Sequence, residues 1–216
     1  MDIIKKLAQE LTIKEEQAKA AVQLIDEGNT IPFIARYRKE MTGALNDETL
    51  RNLHERLLYL RNLEEKKEQV INAITEQGKM TDDLKKKILA AETLVAVDDL
   101  YRPYRPKKQT RATKAKEKGL EPLANILLLQ ATSKSMEEEA QSFVDEAKGV
   151  TNAKEALAGA KDIIAEMIAD KADYRKSIRN CTMKQGRLVV KAKDEKAESV
   201  YEMYYDFSEE LSKITG

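Results

Sequence analysis

The sequence predicts an all-α protein, and three observations carry the prediction. Charged residues make up 35% of the 216 positions and aromatics only 5%, the balance of helices that present long polar faces to water. Only 8 glycines and 4 prolines interrupt the chain. Between these breaks, apolar residues recur at three- and four-residue spacing behind side chains suited to capping a helix N-terminus. The expected architecture is a multi-helix region with a helix-turn-helix-like element, one long central helix and at most one short strand or hairpin near residues 187–193.

Ile3, Ile4, Leu7 and Leu11 share one face of a short first helix that stops at Thr12. Thr12 followed by Glu15 fits a capping box, so a second helix is expected to bury Ala18, Val22 and Ile25 and to end at Glu27-Gly28-Asn29. Thr30 or Ile31 caps a third, with Pro32 in its first turn and Phe33, Ile34 and Tyr37 packed inward. Arg36, Arg38 and Lys39 stand at its exposed end, where two helices and a tight turn resemble a DNA-reading corner. Residues 1–45 thus form a small helical lobe.

Asn46 caps the next helix, stapled by Leu45 and Leu50, with Asp47 and Glu48 at the positive end of its dipole. No breaker follows until Gly78, so residues 46–78 read as one connecting helix of roughly 46 Å at about 1.5 Å per residue. Leu50, Leu53, Leu57, Leu60 and Leu63 form one apolar cluster and Val70, Ile71 and Ile74 another, around a wholly polar Glu64–Gln69 expected to face water. Residues 79–216 make a second lobe. Thr81 caps a helix burying Leu84, Ile88 and Leu89, Thr93 caps another turn or two, and Pro122 opens an apolar helix. Ser135 with Glu138 and Asn152 with Glu155 announce two more, the first burying Phe143 and Val144 and the second running to about Asn180 with Met167 and Ile168 inward. Leu188-Val189-Val190 is the only plausible strand, and a last amphipathic helix offers Val200, Tyr201, Tyr204 and Tyr205.

The inventory argues against enzymatic chemistry. His54 is the only histidine and Cys181 the only cysteine, so neither a histidine-based metal cluster nor a disulfide framework can be built. No phosphate-cradling glycine loop occurs, and Asp98-Asp99 and Glu137-Glu138-Glu139 read as helix-end or solvated charge. No cofactor is expected. The N-terminus lacks the apolar core of a signal peptide and no apolar run approaches the roughly 20 residues that span a bilayer, which points to the cytoplasm.

Charge is balanced at 38 basic to 38 acidic residues, but it is segregated. The basic loop 101–119 carries Arg102, Arg105, Lys107, Lys108, Arg111, Lys114, Lys116 and Lys118 against Glu117 alone, a local charge of +7. Pro103 and Pro106 stiffen it, and Tyr101 and Tyr104 lie beside the cations. Such a strip suits phosphates, with counterion release and base stacking as the driving terms. The other reading has the tyrosines pack the loop while its cations stay solvated or meet acids of a neighbouring domain.

Thr30 through Gly43 resembles a signature of the bacterial Tex family of transcription accessory proteins. Asp98 through Lys107, Thr110 through Thr113 and Glu117 through Leu123 are similar to a second signature, and Tyr205 through Glu209 fits as well. The resemblance implies a helical N-terminal region, followed in the much longer family members by RNase H-like, helix-hairpin-helix and C-terminal OB-fold RNA-binding domains; the chain is then expected to be an N-terminal fragment. It also implies likeness to the core of a eukaryotic elongation factor that binds polymerase and histones. The expected function is a non-enzymatic scaffold making weak, salt-dependent, sequence-independent contact with RNA or DNA. The candidate contacts are Arg36, Arg38 and Lys39, then Arg102, Arg105, Lys107, Lys108, Arg111 and Lys114. Alternatives are a protein-interaction module docking RNA polymerase or downstream domains, and an enzyme fragment whose active site lies downstream.

Overall fold

The computed structural model describes residues 2–106, 108–194 and 196–214. Among them the fold is mostly α, with eleven α-helices, short 3-10 turns and one two-stranded antiparallel ribbon. The chain divides into two compact units, Met1–Tyr101 and Arg102–Gly216.

In the first unit, α4 (Asp47–Glu76) is the axis, and α1 (Ile3–Leu11), α2 (Glu15–Asp26), α3 (Ile31–Tyr37), α5 (Asp82–Ala90) and α6 (Leu94–Tyr101) pack against one another and against it. The start of α4 is set locally, because Asn46 Oδ1 accepts the Thr49 amide at 2.7 Å. Its buried stripe is Leu50, Leu53, Leu57, Leu60, Leu63, Lys67, Val70 and Ile74. The polar centre therefore does not simply face water. Lys67 is 2% exposed, and its Nζ donates to Glu64 Oε1 at 2.8 Å and to the Leu89 carbonyl at 3.0 Å. That carbonyl belongs to the last turn of α5, where the helix leaves acceptors without partners and favours a cation.

Other details of this unit differ from expectation. Thr12 adopts a left-handed φ of 55° as the C-cap of α1, and α2 starts later, with Gln17 Oε1 accepting the Lys14 amide at 3.1 Å. Leu89 is 51% exposed.

In the second unit, α10 (Ala153–Ala169) is central, packed by α7 (Arg111–Glu117), α8 (Glu121–Leu129) and α9 (Met136–Gln141). Leu120, Leu123, Ala124, Val150, Ala160 and Ile163 belong to its core. Ser135 and Glu138 form a reciprocal capping box at α9 through contacts of 2.9 and 3.2 Å. That helix ends at Gln141, so Phe143 and Val144 lie in the following loop. α10 stops at Ala169 instead of running to Asn180, and a separate α11 (Ala172–Gln185) follows with no buried residue. Met167 and Ile168 are 42% and 48% exposed.

The ribbon pairs β1 (Arg187–Lys191) with β2 (Asp206–Glu210), Val189 opposite Ser208. The expected terminal amphipathic helix is replaced by a 3-10 turn at Glu202–Tyr204 and then β2, because extended residues 206–210 supply the partner that β1 needs. No helix among the described residues is long and apolar enough to cross a membrane.

Candidate nucleic-acid interface

Two basic surfaces arise from different local physics. The first is the end of α3. Only Ile34 of this two-turn helix is fully buried, so its other faces remain open. Phe33 and Tyr37 do not pack inward as expected, being 37% and 64% exposed. They stand one turn apart with ring centroids 5.2 Å from each other, and the Arg38 guanidinium lies 5.2 Å from the Phe33 ring centre. Arg36, Arg38 and Lys39 are all exposed, and among the described residues none makes an ion pair with a carboxylate.

The loop beneath these cations is held tightly. Thr42 is fully buried, and its hydroxyl lies 3.4 and 3.3 Å from the carbonyl oxygens of Arg38 and Lys39. Gln17 Nε2 donates to the carbonyls of Thr42 and Gly43 at 3.4 and 2.9 Å. Glycine is favoured at 43 on two counts: φ is +60°, and a Cβ would stand 2.8 Å from Gln17 Nε2, so the side chain that holds the loop would have to shift.

Two arginines of this unit are occupied by carboxylates. Arg56 donates to both oxygens of Glu10 at 2.5 and 2.9 Å, and Arg61 to both oxygens of Asp26 at 2.7 Å. The Arg56 hydrogen bond holds the Glu10 carboxyl below its ordinary range against a smaller opposing effect of burial, and Arg61 does the same for Asp26.

The second surface is the strip from Arg102 onward, and here the acids of α10 intervene. Asp162, Glu166 and Asp170 recur every fourth residue on and just past that helix and so lie along one face. Arg102 Nε donates to Asp170 Oδ1 at 2.8 Å, the Thr110 hydroxyl to Glu166 Oε2 at 3.0 Å, and Arg111 Nη2 approaches Asp162 at 3.6 Å. The basic segment is thereby pinned along α10, one helical turn per contact, running antiparallel to it. Thr110 also caps α7, its Oγ1 accepting the Thr113 amide at 3.0 Å.

The strip's cations therefore differ in role. Arg102 and Arg111 are tied to carboxylates, and Arg105 is exposed with interactions of its own. Lys108 and Lys114 are exposed, and among the described residues neither makes an ion pair. Lys107 lies outside the described residues. The acidic ladder was legible as a four-residue repeat, but nothing local marked it as the partner of a segment 51 to 68 residues earlier. The exposure of Phe33 and Tyr37 carried no sequence signal, because helical periodicity places aromatics on a face without saying whether anything covers it.

Comparison with known proteins fits this architecture. Residues 1–75 match the family described as Tex-like protein N-terminal domain, and residues 131–216 match the one described as Tex central region-like. The chain is 44% identical over 209 residues to the Transcriptional accessory protein Tex of Neisseria gonorrhoeae, covering 95% of this chain and 27% of that protein. It is 46% identical over 211 residues to Protein YhgF of Escherichia coli, covering 96% of this chain and 27% of that protein. A human protein, S1 RNA-binding domain-containing protein 1, is 31% identical over 186 residues, 85% of this chain and 18% of its own length. The chain thus spans less than a third of the length of the bacterial relatives it matches. With both regional descriptions matched and similarity running through nearly every residue, the chain belongs to the Tex family.

Proposed function

We propose that this chain is a non-enzymatic, cytoplasmic helical scaffold of a transcription accessory protein that contributes sequence-independent contacts to RNA or DNA backbones. One observation carries the reading. The basic strip is held on the acids of α10 by Arg102 and Thr110, with Arg111 near Asp162, and this arrangement leaves Lys108 and Lys114 exposed and without ion pairs among the described residues. A loop whose shape is set by some cations while others remain open suits phosphates, which reward pre-placed charge through counterion release. The names of two relatives, a transcriptional accessory protein and an S1 RNA-binding domain-containing protein, support the same direction. The corner of α2 and α3, with Arg36, Arg38 and Lys39, is the helix-turn-helix-like part of this scaffold.

The test is a fluorescence titration of labelled RNA and DNA with the parent chain and with a Lys108→Glu/Lys114→Glu double variant. Binding is expected to weaken as salt rises, and loss of two phosphate contacts lowers the salt slope by about 1.4 for a single strand. No binding at low salt, or equal binding by the double variant, overturns the reading.

A second reading is favoured by the open apolar side chains of the second unit. Ile178 and Met183 on α11, Val189 on the ribbon and Met203 are 66%, 55%, 54% and 75% exposed. Exposed apolar side chains suit a protein contact, so in this reading the scaffold docks RNA polymerase or further domains without touching nucleic acid. Capture of purified polymerase that survives nuclease treatment, together with an absent oligonucleotide signal, selects this second reading.

A further inference from the structure

We infer that the exposed end of α3 is a stacking platform for unpaired bases, so that the first unit prefers single-stranded nucleic acid to duplex. The inference rests on the nucleic-acid reading above and deepens it by naming the form of the ligand and a site in the other unit. Its carrier is the juxtaposition of Phe33, Tyr37 and Arg38, with Arg36 and Lys39 beside them.

Aromatic rings are scarce in this chain, which has 3 phenylalanines, 8 tyrosines and no tryptophan. Two of them are spent on one turn of a short surface helix, with Tyr37 64% exposed although a buried aromatic would contribute more to stability. The rings are 5.2 Å apart and tilted by 47°, and the Arg38 guanidinium sits 5.2 Å from the Phe33 centre. The surface therefore offers flat π faces and a planar cation together, the pair of groups on which bases stack in single-strand binders. In the sequence window from Thr30 to Gly43 the three cations face one acid, Glu40. The surplus of positive charge beside the rings matches a ligand that carries a phosphate on every nucleotide.

The platform is also rigid on its loop side. The Thr42 hydroxyl and the Gln17 amide tie down the backbone from Arg38 to Gly43, so the cations start from a fixed base. Binding then loses less conformational freedom than it would on a floppy loop. A duplex cannot use the rings, since its base faces are already stacked and only its phosphates meet the protein. The discrimination between strand forms thus follows from Phe33 and Tyr37, while the cations act on both forms alike.

The experiment is a parallel titration of fluorescent single-stranded and duplex RNA of the same sequence against the full chain, with photocrosslinking of a halogenated-uridine single strand to map contacted residues. Tyr37→Ala is expected to lower single-strand affinity about tenfold, the loss of one stacked base, with duplex affinity unchanged. A Tyr37→Leu variant, which keeps apolar bulk but no π face, is expected to lose as much, and Tyr37→Trp to retain binding. A crosslink to Tyr37 or Phe33 supports the platform. Equal losses for single strand and duplex overturn it in favour of phosphate contact. Single-strand binding unchanged in the Tyr37 variants but weakened by Lys108→Glu/Lys114→Glu overturns the platform and leaves the preceding reading standing. Absence of any binding by the parent overturns both. Capture of purified RNA polymerase that is lost in Tyr37→Leu, without a matching loss of oligonucleotide affinity, overturns the platform and makes this face a protein interface.

Discussion

Gly159 in α10 should be a glycine because Ala115 of α7 and Leu120, the residue before α8, come close to it. A Cβ built there would stand 2.4 Å from Leu120 Cδ1 and 3.2 Å from Ala115 Cβ, whereas carbon atoms pack comfortably at about 3.5–4.0 Å. Two effects compete in Gly159→Ala. Alanine stabilises a helix interior by about 1 kcal/mol relative to glycine. Overpacking costs about 1–3 kcal/mol, and both neighbours are themselves buried, Leu120 1% and Ala115 4% exposed. Overpacking therefore wins, with a net loss of about 1 kcal/mol. The two units need not unfold together, so the suitable assay is native-state hydrogen exchange of α7 and α10 amides, supported by urea denaturation. A double-mutant cycle isolates the cause: in a Leu120→Ala background the 2.4 Å approach is gone and only the 3.2 Å approach to Ala115 Cβ remains, so Gly159→Ala should cost measurably less there than in the parent. A parent chain that gains protection on Gly159→Ala would refute the close-approach argument.

Three further outcomes follow from the structure. Lys67→Met removes the donor to the Leu89 carbonyl while keeping the volume, and should cost about 1–2 kcal/mol in urea denaturation; Lys67→Glu, which brings a second carboxylate beside Glu64, should cost more, and a fully stable Lys67→Glu would contradict the buried contact. Glu10 and Asp26 are depressed in the folded state from ordinary values of 4.5 and 3.8, so their stabilisation is complete above those values and is lost as pH falls through the depressed ones. Each pair is partly solvated, so about 0.5–1 kcal/mol apiece is at stake, and Arg56→Gln/Arg61→Gln should flatten this acid limb of stability against pH. Neutralising the α10 ladder with Asp162→Asn/Asp170→Asn should loosen the basic segment, read as faster proteolysis within residues 102–111; unchanged cleavage would show that the ion pairs do not hold it.

What could be read from the chain by itself was what short-range chemistry determines. Asn46, Thr81, Thr110, Ser135 and Asn152 accept amide hydrogens three residues ahead, so each helix start is written within four consecutive residues. The same is true of the stop at Gly78, of the proline-limited segment after Tyr101 and of the mostly α composition. The Tex signatures are likewise linear strings, legible without a fold.

Tertiary structure decided everything that depends on whether a face finds a cover. Lys67 sits in a run of polar residues that reads as solvated, yet the last turn of α5 arrives over it with a carbonyl needing a donor. Phe33, Tyr37, Met167 and Ile168 lie at helical spacings that read as buried, and no element packs over them closely enough to exclude water. The pairing of 187–191 with 206–210 was hidden because a strand's partner is chosen across the intervening chain, not within it. The division of the basic strip into tied arginines and open lysines came from acids on and just past α10, 51 and 68 residues away along the chain. Sequence alone determined most helix starts and the charge pattern, because caps, breaks and periodicity act over a few residues; burial, strand pairing and the extent of α10 are long-range outcomes, and only the folded chain states them.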